Sequence, residues 1–445
     1  MSILNEIRRF GVEIVSFIYF FSWHLIYTSS QTYLNTVTGD LQEINACKSN
    51  LTSKEIYHKE RDTVILSMKL SLAELLPVIP VTIFFAIRSD LDKRRRLLIW
   101  LPFVGNALFC FFYIIHFYQR KYLFLLYFGN LCMAFCGHMY MFQAGVHSRI
   151  GDHFQSNQRL LQMATQESFI QLAMGLGILV GGIWDQYLGF LSSYFIGLVI
   201  SSIAVPLTFL LVVEDKLNTE NSYEEIDVKS WRHIFCEARY WLIFLSFQLF
   251  IFVHNGEERI RILYFKNKPL CFTSLTIGLT CFVLGLVASI GTVGSVYIFS
   301  RMGLKPLWIG VVGFGSKIVG SIFLAVANSL ALAMLAQVTM IFYAVPFSVA
   351  RSFISEIAGE GKQGVAQAIL HSGLAINAAI EPPILDSIYA ATLDTVYGMT
   401  FYCCAIVLIV SAVLLIIGDK MQKFNRSCYN EESIPLDGDK VDQNV

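Results

Sequence analysis

Three ionisable side chains lie inside or at the end of long apolar runs, where a charge is costly and usually has a function. Glu167 stands near the start of one run, His254 lies within another, and Arg351 ends a third. A carboxyl group and an imidazole can bind and release protons, whereas a guanidinium can hold an anionic group through paired hydrogen bonds. Glu167 and His254 are therefore candidates for proton coupling, and Arg351 is a candidate for binding an anionic substrate.

Each candidate also has a purely structural interpretation. Glu167 fits an interfacial acid at a helix start, Arg351 fits an anchor on the positively charged side of a membrane, and His254 fits a helix end that enters water. The Asn-Gly pair after His254 weakens a helix, and interrupted helices line polar cavities in membrane proteins. The acidic and basic residues that follow this pair are expected to form surface or gate pairs. Gln31, in the outer part of the first run, is a further candidate for substrate binding.

The remainder of the chain is strongly apolar. Of 445 residues, 55% are hydrophobic and 15% are charged, and the mean hydropathy is +0.57; a typical soluble protein carries about 25% charged residues. The balance of 33 basic and 33 acidic residues argues against nucleic-acid binding. The sequence has no Walker A, HExxH, GxSxG or CxxC motif. We therefore expect no enzyme, no metal and no cofactor, so that any transport is driven by a gradient.

Twelve apolar runs are long enough to cross a bilayer as helices. They cover residues 12–34, 64–87, 97–118, 122–147, 162–184, 190–213, 239–264, 274–300, 307–327, 329–353, 364–391 and 394–418. Lys and Arg collect in alternate connections, as between the second and third runs, and such connections face the cytosol. The sequence predicts an all-α polytopic membrane protein with both termini in the cytosol.

One hydrophilic stretch, 214–238, separates six runs from six. This predicts an N-terminal six-helix bundle over 1–213, a cytosolic central loop, a C-terminal six-helix bundle over 239–418, and a disordered cytosolic tail over 419–445. Six plus six is the layout of major facilitator transporters.

The connection SDLDKRRRLL at 89–98 resembles the facilitator signature in that connection, an Asp followed four residues later by a basic residue. Asp90 can cap a helix end, and Arg94 can reach the carbonyl end of another helix. Together they would form a cytosolic gate. A simple cluster of cations that sets membrane orientation is the alternative interpretation.

Two connections are expected on the luminal or extracellular side. The first contains the glycosylation sequon Asn50-Leu51-Thr52 and Cys47, and Cys271 lies between the seventh and eighth runs. Both cysteines would then be in an oxidising compartment, where a disulfide between them is plausible.

Several short segments together resemble the proton-coupled folate transporter and haem-carrier family of solute carriers, within the major facilitator superfamily. They are Val12-Glu13, SDLDKRRRLL at 89–98, Glu167 followed by the GG-x-W of 181–184, VHNG at 253–256, PLC at 269–271, the Arg351 segment, Gln363-Gly364 and DSIYAATL at 386–393. The resemblance implies proton coupling at Glu167 and His254, substrate and proton binding at Arg351, a gate at Asp90 and Arg94, and a Cys47–Cys271 disulfide.

The chain departs from the folate transporter at Ile14, around Gln143–Gly145, near the tenth run and at Glu381-Pro382-Pro383. We therefore expect a substrate other than folate itself. Other branches of the family are associated with cyclic dinucleotides, bacterial cell-wall fragments and steroid conjugates, all of them sizeable organic anions.

The expected function is a proton-coupled symporter of such an anion (folate-like, cyclic dinucleotide, muropeptide or conjugated steroid) by alternating access. Its expected partners are the substrate, protons and the lipid bilayer. The alternative is a non-transporting receptor or scaffold of the same fold that signals through the central loop or the tail. The expected location is the plasma membrane or an endosomal or lysosomal membrane, and a tyrosine-based sorting pattern at 223–226 fits the latter.

Overall fold

The computed structural model describes residues 10–37, 53–214, 238–266, 270–359, 362–392 and 395–421. Within these ranges every regular element is a helix. In chain order they are α1 (Gly11–Val37), α2 (Ser53–Asp92), α3 (Arg96–Tyr118), α4 (Phe124–Phe135), α5 (His138–His153), α6 (Ser156–Leu188), α7 (Phe190–Leu211), α8 (Ala238–Lys266), α9 (Ser274–Arg301), α10 (Pro306–Ala325), α11 (Leu330–Thr339), α12 (Val345–Ala358), α13 (Gln363–Thr392) and α14 (Met399–Lys420).

Nine helical stretches in the described ranges are long and apolar enough to cross a membrane, with α4 and α5 taken together as one of them. The other three predicted spans fall on α1, on the charge-rich α8, and on the short helices α11 and α12. The all-α prediction is confirmed over the described residues. The twelve-span arrangement in two bundles stays a prediction.

Two of the predicted spans are not continuous helices, which corrects the sequence interpretation. The run 122–147 divides into α4 and α5 at Gly137, where φ is +80°, and His138, where φ is 45°. A left-handed backbone cannot continue a right-handed helix. The run 329–353 divides into α11 and α12 at a turn over 340–344. Pro346 stands at the start of α12, where its missing N–H costs no helical hydrogen bond.

Apolar side chains form separate cores in the two parts of the chain. Residues between 15 and 212 make two clusters, and a third is built mostly from residues 240–415. Rings of Tyr19, Phe103 and Phe142 pack together in the first part. Phe250, Phe314 and Phe347 do so in the second part.

The seam between the two parts is closest where α6 crosses α9. A Cβ atom on Gly285 would lie 2.6 Å from the carbonyl oxygen of Gln171 and 3.1 Å from the Cα of Gly175. The two backbones therefore touch without an intervening side chain, as small residues allow between membrane helices. The helix pairs α2–α13, α5–α13 and α6–α12 complete the contact between the two parts.

Candidate functional site

A buried ion pair joins the two parts of the chain. Arg351 of α12 donates from Nη1 to Oε2 of Glu167 on α6. Only 1% of Arg351 and 2% of Glu167 is exposed, so neither charge is screened by water. Arg351 also donates from Nη2 to Oε1 of Gln143 on α5, at 3.1 Å. The sequence indicated both charged residues separately, and the structure brings them together.

Two hydrogen bonds and a ring contact link this pair to His254. Gln171, one turn after Glu167, donates from Nε2 to Oε1 of Glu167 at 2.7 Å. The hydroxyl of Tyr343 donates to the other end of the Gln171 amide. The Tyr343 ring stacks on His254 with centroids 5.3 Å apart. We call Glu167, Arg351, Gln143, Gln171 and Tyr343 the central network. Through the ring contact with Tyr343, His254 lies beside it, so the two predicted proton-coupling residues are in one region.

A cleft opens beside the central network. It is small in this conformation, with a volume of about 20 Å³ for a water-sized molecule. Its polar lining includes Gln171, His254, Glu258, Arg261 and Tyr343. The buried Nδ1 of His254 has no hydrogen-bond partner among the described residues. The cleft therefore presents both basic and acidic groups to a solute that enters it.

A second buried ion pair lies behind Tyr343. Lys317 of α10 donates from Nζ to Oε1 of Glu257 at 2.7 Å, and the Ser321 hydroxyl donates to Oε2 at 2.6 Å. Lys317 is 1% exposed and Glu257 is fully buried. The expectation of a surface or gate pair is wrong for Glu257. It lies one turn after Val253 and His254, on the inward face of α8, and this spacing was the available signal.

Arg95, and not Arg94, is the basic partner of Asp90. Arg95 Nη1 lies 2.5 Å from Asp90 Oδ1, and its Nε lies 2.9 Å from Asp152 Oδ2. Arg94 is exposed. The physical reason is the turn at Lys93, where φ is 52°; it directs Arg94 outwards and the next side chain inwards.

Asp90 also caps α13. Its two carboxylate oxygens accept from the backbone N–H groups of Gly364 and Val365, each at 2.9 Å, which satisfies free amides at the positive end of that helix. Burial opposes the charge on Arg95, but the carboxylates of Asp90 and Asp152 outweigh it and raise the pKa of Arg95. We call Asp90, Arg95 and Asp152 the gate cluster, and that end of the molecule the gate side.

The remaining predicted site residues lie partly outside the described part of the chain. Cys47 and Asn50 are outside it, and only the backbone of Gln31 is described, within α1. Cys271 is disulfide-bonded; its pairing with Cys47 stays a prediction. Within the described ranges, no three His, Cys, Asp or Glu side chains are grouped so that they could hold a metal ion.

Residues 12–382 match the family model described as Major Facilitator Superfamily. The chain belongs to this superfamily. Because its members are membrane transporters, the predictions that the chain is a multi-pass membrane protein and not an enzyme are confirmed.

Relatives within the superfamily bear out the resemblance. The lysosomal proton-coupled steroid conjugate and bile acid symporter SLC46A3 of Gallus gallus is 23% identical over 418 residues, which cover 88% of this chain and 89% of that protein. The proton-coupled folate transporter of Rattus norvegicus is 23% identical over 310 residues, which cover 66% of this chain and 65% of that transporter. The family suspected from short segments is therefore confirmed.

A solved structure shows the shared fold. The human organic anion transporter MFSD10 (TETRAN) superposes with a TM-score of 0.71 at 15% identity, over 92% of this chain and 99% of that one. At this identity the likeness concerns the fold alone.

Proposed function

We propose that this major facilitator protein is a proton-coupled symporter of a sizeable organic anion. The observation that carries the proposal is the buried Glu167–Arg351 pair in the seam between the two parts of the chain. A proton on Glu167 removes its negative charge and leaves Arg351 without a counter-ion. An anionic substrate can then supply that counter-ion, so proton and substrate binding favour each other.

The surroundings of Arg351 suit an anion that also carries rings. Its guanidinium carbon lies 5.3 Å from the centroid of Phe347. Phe347 in turn meets His254 edge-on, with centroids 5.1 Å apart. The relatives support the same class, since one is named for steroid conjugates and bile acids and another for folate. We propose a conjugated steroid or a similar ring-bearing anion as the substrate.

The proposed architecture has twelve membrane-crossing segments in two bundles, 1–213 and 239–418. The gate side is placed in the cytosol, together with both termini, the central loop 214–238 and the tail. The positive charges of the 88–96 segment support this orientation. The proposed location is the plasma membrane or an endosomal or lysosomal membrane, and the word lysosomal in the first relative's name supports the last of these.

Uptake into reconstituted vesicles tests the function. The purified full chain is reconstituted, and uptake of a radiolabelled sulfated steroid, a bile acid, folate, a cyclic dinucleotide and a muropeptide is measured with and without an inward proton gradient. We expect uptake of at least one anion that collapses when a protonophore removes the gradient. Absence of solute movement across the panel would contradict transport and favour the receptor alternative.

A further inference from the structure

Two histidines from different parts of the chain are stacked against each other between the central network and the gate cluster. His147 of α5 and His371 of α13 have ring centroids 5.3 Å apart and planes within 10° of parallel. Neither residue is exposed. Neither lines the cleft, and neither has a role in the proposed transport step.

The hydrogen bonds of the two rings leave a basic nitrogen free on each. His147 Nδ1 lies 2.7 Å from the carbonyl oxygen of Gln143, and His371 Nδ1 lies 2.6 Å from that of Gln367. A carbonyl can only accept, so Nδ1 carries the hydrogen in both rings and Nε2 of a neutral ring is an acceptor. Both Nε2 atoms are buried without a hydrogen-bond partner among the described residues. Two vacant proton-accepting nitrogens thus occur in one stacked pair.

Both anchoring glutamines are held by Arg351. The side-chain oxygen of Gln143 accepts from Arg351 Nη2 at 3.1 Å. The side-chain nitrogen of Gln367 donates to the Arg351 carbonyl oxygen, also at 3.1 Å. The guanidinium of Arg351 therefore contacts α5 beside His147, and its main-chain carbonyl contacts α13 beside His371, so α5, α12 and α13 meet at the histidine pair.

The charged groups on either side of the pair belong to the central network and the gate cluster. Arg351 is paired with Glu167 of α6. The carboxylates of the gate cluster lie further along, since Gly364 is seven residues, or about 10 Å of helix, before His371.

The other neighbouring helices bring no charge to the rings. Small apolar side chains of α2, α5 and α13 pack together beside the gate cluster: Ala86, Ala144, Val365 and Ala368. The basic side chains of α3, Arg96 and His116, lie at its two ends. From α8, the neutral side chain of Gln248 donates to the Leu370 carbonyl. A protonated Nε2 in the closed seam would be buried with no acceptor among the described residues, which makes it costly.

We propose that His147 and His371 form a shared proton-binding site, and that a proton bound there keeps α5 apart from α13 on the gate side. Two imidazolium rings in this contact would repel each other and Arg351, so the closed form has room for neutral rings only. Separation of α5 from α13 lets water reach Nε2, and the proton is then accepted. Because the open form binds the proton better than the closed form, acid shifts the population towards opening.

The site is tested by measuring the opening of the gate side without any solute. Spin labels are attached to Gln155→Cys and Glu356→Cys, which replace exposed residues on the gate side of the first and second parts. Accessible native cysteines are first replaced, and the full chain is placed in lipid nanodiscs. Distances between the two spin labels are measured by pulsed electron paramagnetic resonance at pH about 5.5 and about 7.5. These values bracket the ordinary imidazole pKa of about 6.5. For one linked proton that binds the open form at this pKa and not the closed form, the ratio of open to closed molecules is expected to rise about tenfold at acid pH.

Phenylalanine keeps the stacked rings but cannot bind a proton. The double variant His147→Phe/His371→Phe is expected to give the same distances at both pH values, and each single variant is expected to shift the pH midpoint of opening. If the double variant does not fold, the two single variants decide. An unchanged midpoint in both, a wild-type chain without pH response, or a full response in the double variant would overturn the proposal.

A second control separates this site from the central network. Glu167→Gln in the same labelled background removes the other candidate proton acceptor. Loss of the pH response in Glu167→Gln together with its retention in the phenylalanine variants would assign the response to Glu167 and contradict the histidine site. Because no solute is used, a failure of the proposed transport in vesicles leaves this measurement unaffected.

Discussion

At the scale of single residues, the buried charges lie in pairs of opposite sign. Arg351 and Glu167 satisfy each other in the seam, and Lys317 and Glu257 do so behind Tyr343. Removing one member of a buried pair leaves the other charge uncompensated, which costs more than removing both. The two pairs differ in position: the first joins α6 to α12, and the second lies within the second part of the chain.

Glu167→Gln keeps the size of the side chain but cannot carry a proton. We expect proton-driven uptake to be lost while exchange of substrate across the vesicle membrane remains, because coupling and translocation are separate steps. The matched control is Glu13→Gln, which alters another buried acid, bonded to Gln162 and not to Arg351. Proton dependence in Glu167→Gln equal to that of the wild type would rule out this role.

Glu257→Gln leaves the Lys317 ammonium without its counter-ion. We expect a loss of about 3–5 kcal/mol in stability, seen as a lower midpoint of thermal unfolding in detergent. The double variant Glu257→Met/Lys317→Met removes both charges and is expected to unfold near the wild-type temperature or above it. Equal destabilisation by the single and the double variant would show that the pair is not the source of the effect.

At the scale of helices, loop geometry decides which side chains meet. The left-handed Lys93 sets Arg95 against Asp90, and the glycine contact sets the distance between α6 and α9. The positions of Glu167 and Gln171 on α6 depend on that distance, since Gln171 itself lies against Gly285. Substitutions that alter the turn at Lys93 or the contact at Gly285 should therefore affect the gate cluster or the central network without altering their polar residues.

The two arginines that follow Lys93 give a matched comparison. Arg95→Ala removes the ion pairs to Asp90 and Asp152, so we expect the gate side to open more often and transport to fall several-fold. Arg94→Ala removes an exposed side chain and should change transport little. Uptake and thiol labelling on the gate side measure both variants, and a larger effect from Arg94→Ala would contradict the assignment of Arg95 to the gate cluster.

Gly285→Ala introduces a methyl group against the backbone of α6. Because the added Cβ would lie 2.6 Å from the Gln171 oxygen, the two helices must separate, and we expect reduced uptake and a lower unfolding temperature. Gly294→Ala, also on α9, places its Cβ in open space and is the control. If both variants behave alike, helix propensity and not the contact explains the result.

Apolar runs in the sequence were sufficient to find the helices, because about 20 consecutive apolar residues have few alternatives in a membrane. The breaks were less visible: Gly137 was a signal for the first, and Pro346, just after 340–344, was a signal for the second. The pairing of Glu167 with Arg351 spans 184 positions, so it depends on how distant helices pack. Whether Arg94 or Arg95 pairs with Asp90 depends on the backbone angle φ of Lys93, which the local sequence pattern does not determine.

At the scale of the whole molecule, the gate side is closed. The capping of α13 by Asp90 of the gate cluster and the stacked histidines bring the two parts of the chain together at that end. The proposed orientation places this closed end in the cytosol. The opposite side then faces the lumen or the exterior, where the connection between α1 and α2 carries the sequon at Asn50.

The sequon offers a direct measure of orientation. If the α1–α2 connection is luminal, the chain made in cells with a secretory pathway should carry one N-linked glycan there. We expect glycosidase treatment to increase its gel mobility, and Asn50→Gln to give the faster form without treatment. A wild-type chain that carries no glycan, while a sequon inserted in the 214–238 loop is modified, would reverse the orientation.

The close contact between Gly175 and Gly285 also acts as a pivot for α6. With no side chain between Gly175 and Gly285, the contact has no rotamer to adjust, so a rocking motion pivots there instead of being absorbed. Along α6, Glu167 is eight residues from the pivot, or about 12 Å, and Ser156 is nineteen, or about 28 Å. A rigid helix therefore more than doubles, at its gate-side end, any displacement produced at the ion pair. A small rearrangement around one proton at Glu167 can therefore produce a larger displacement at the gate side.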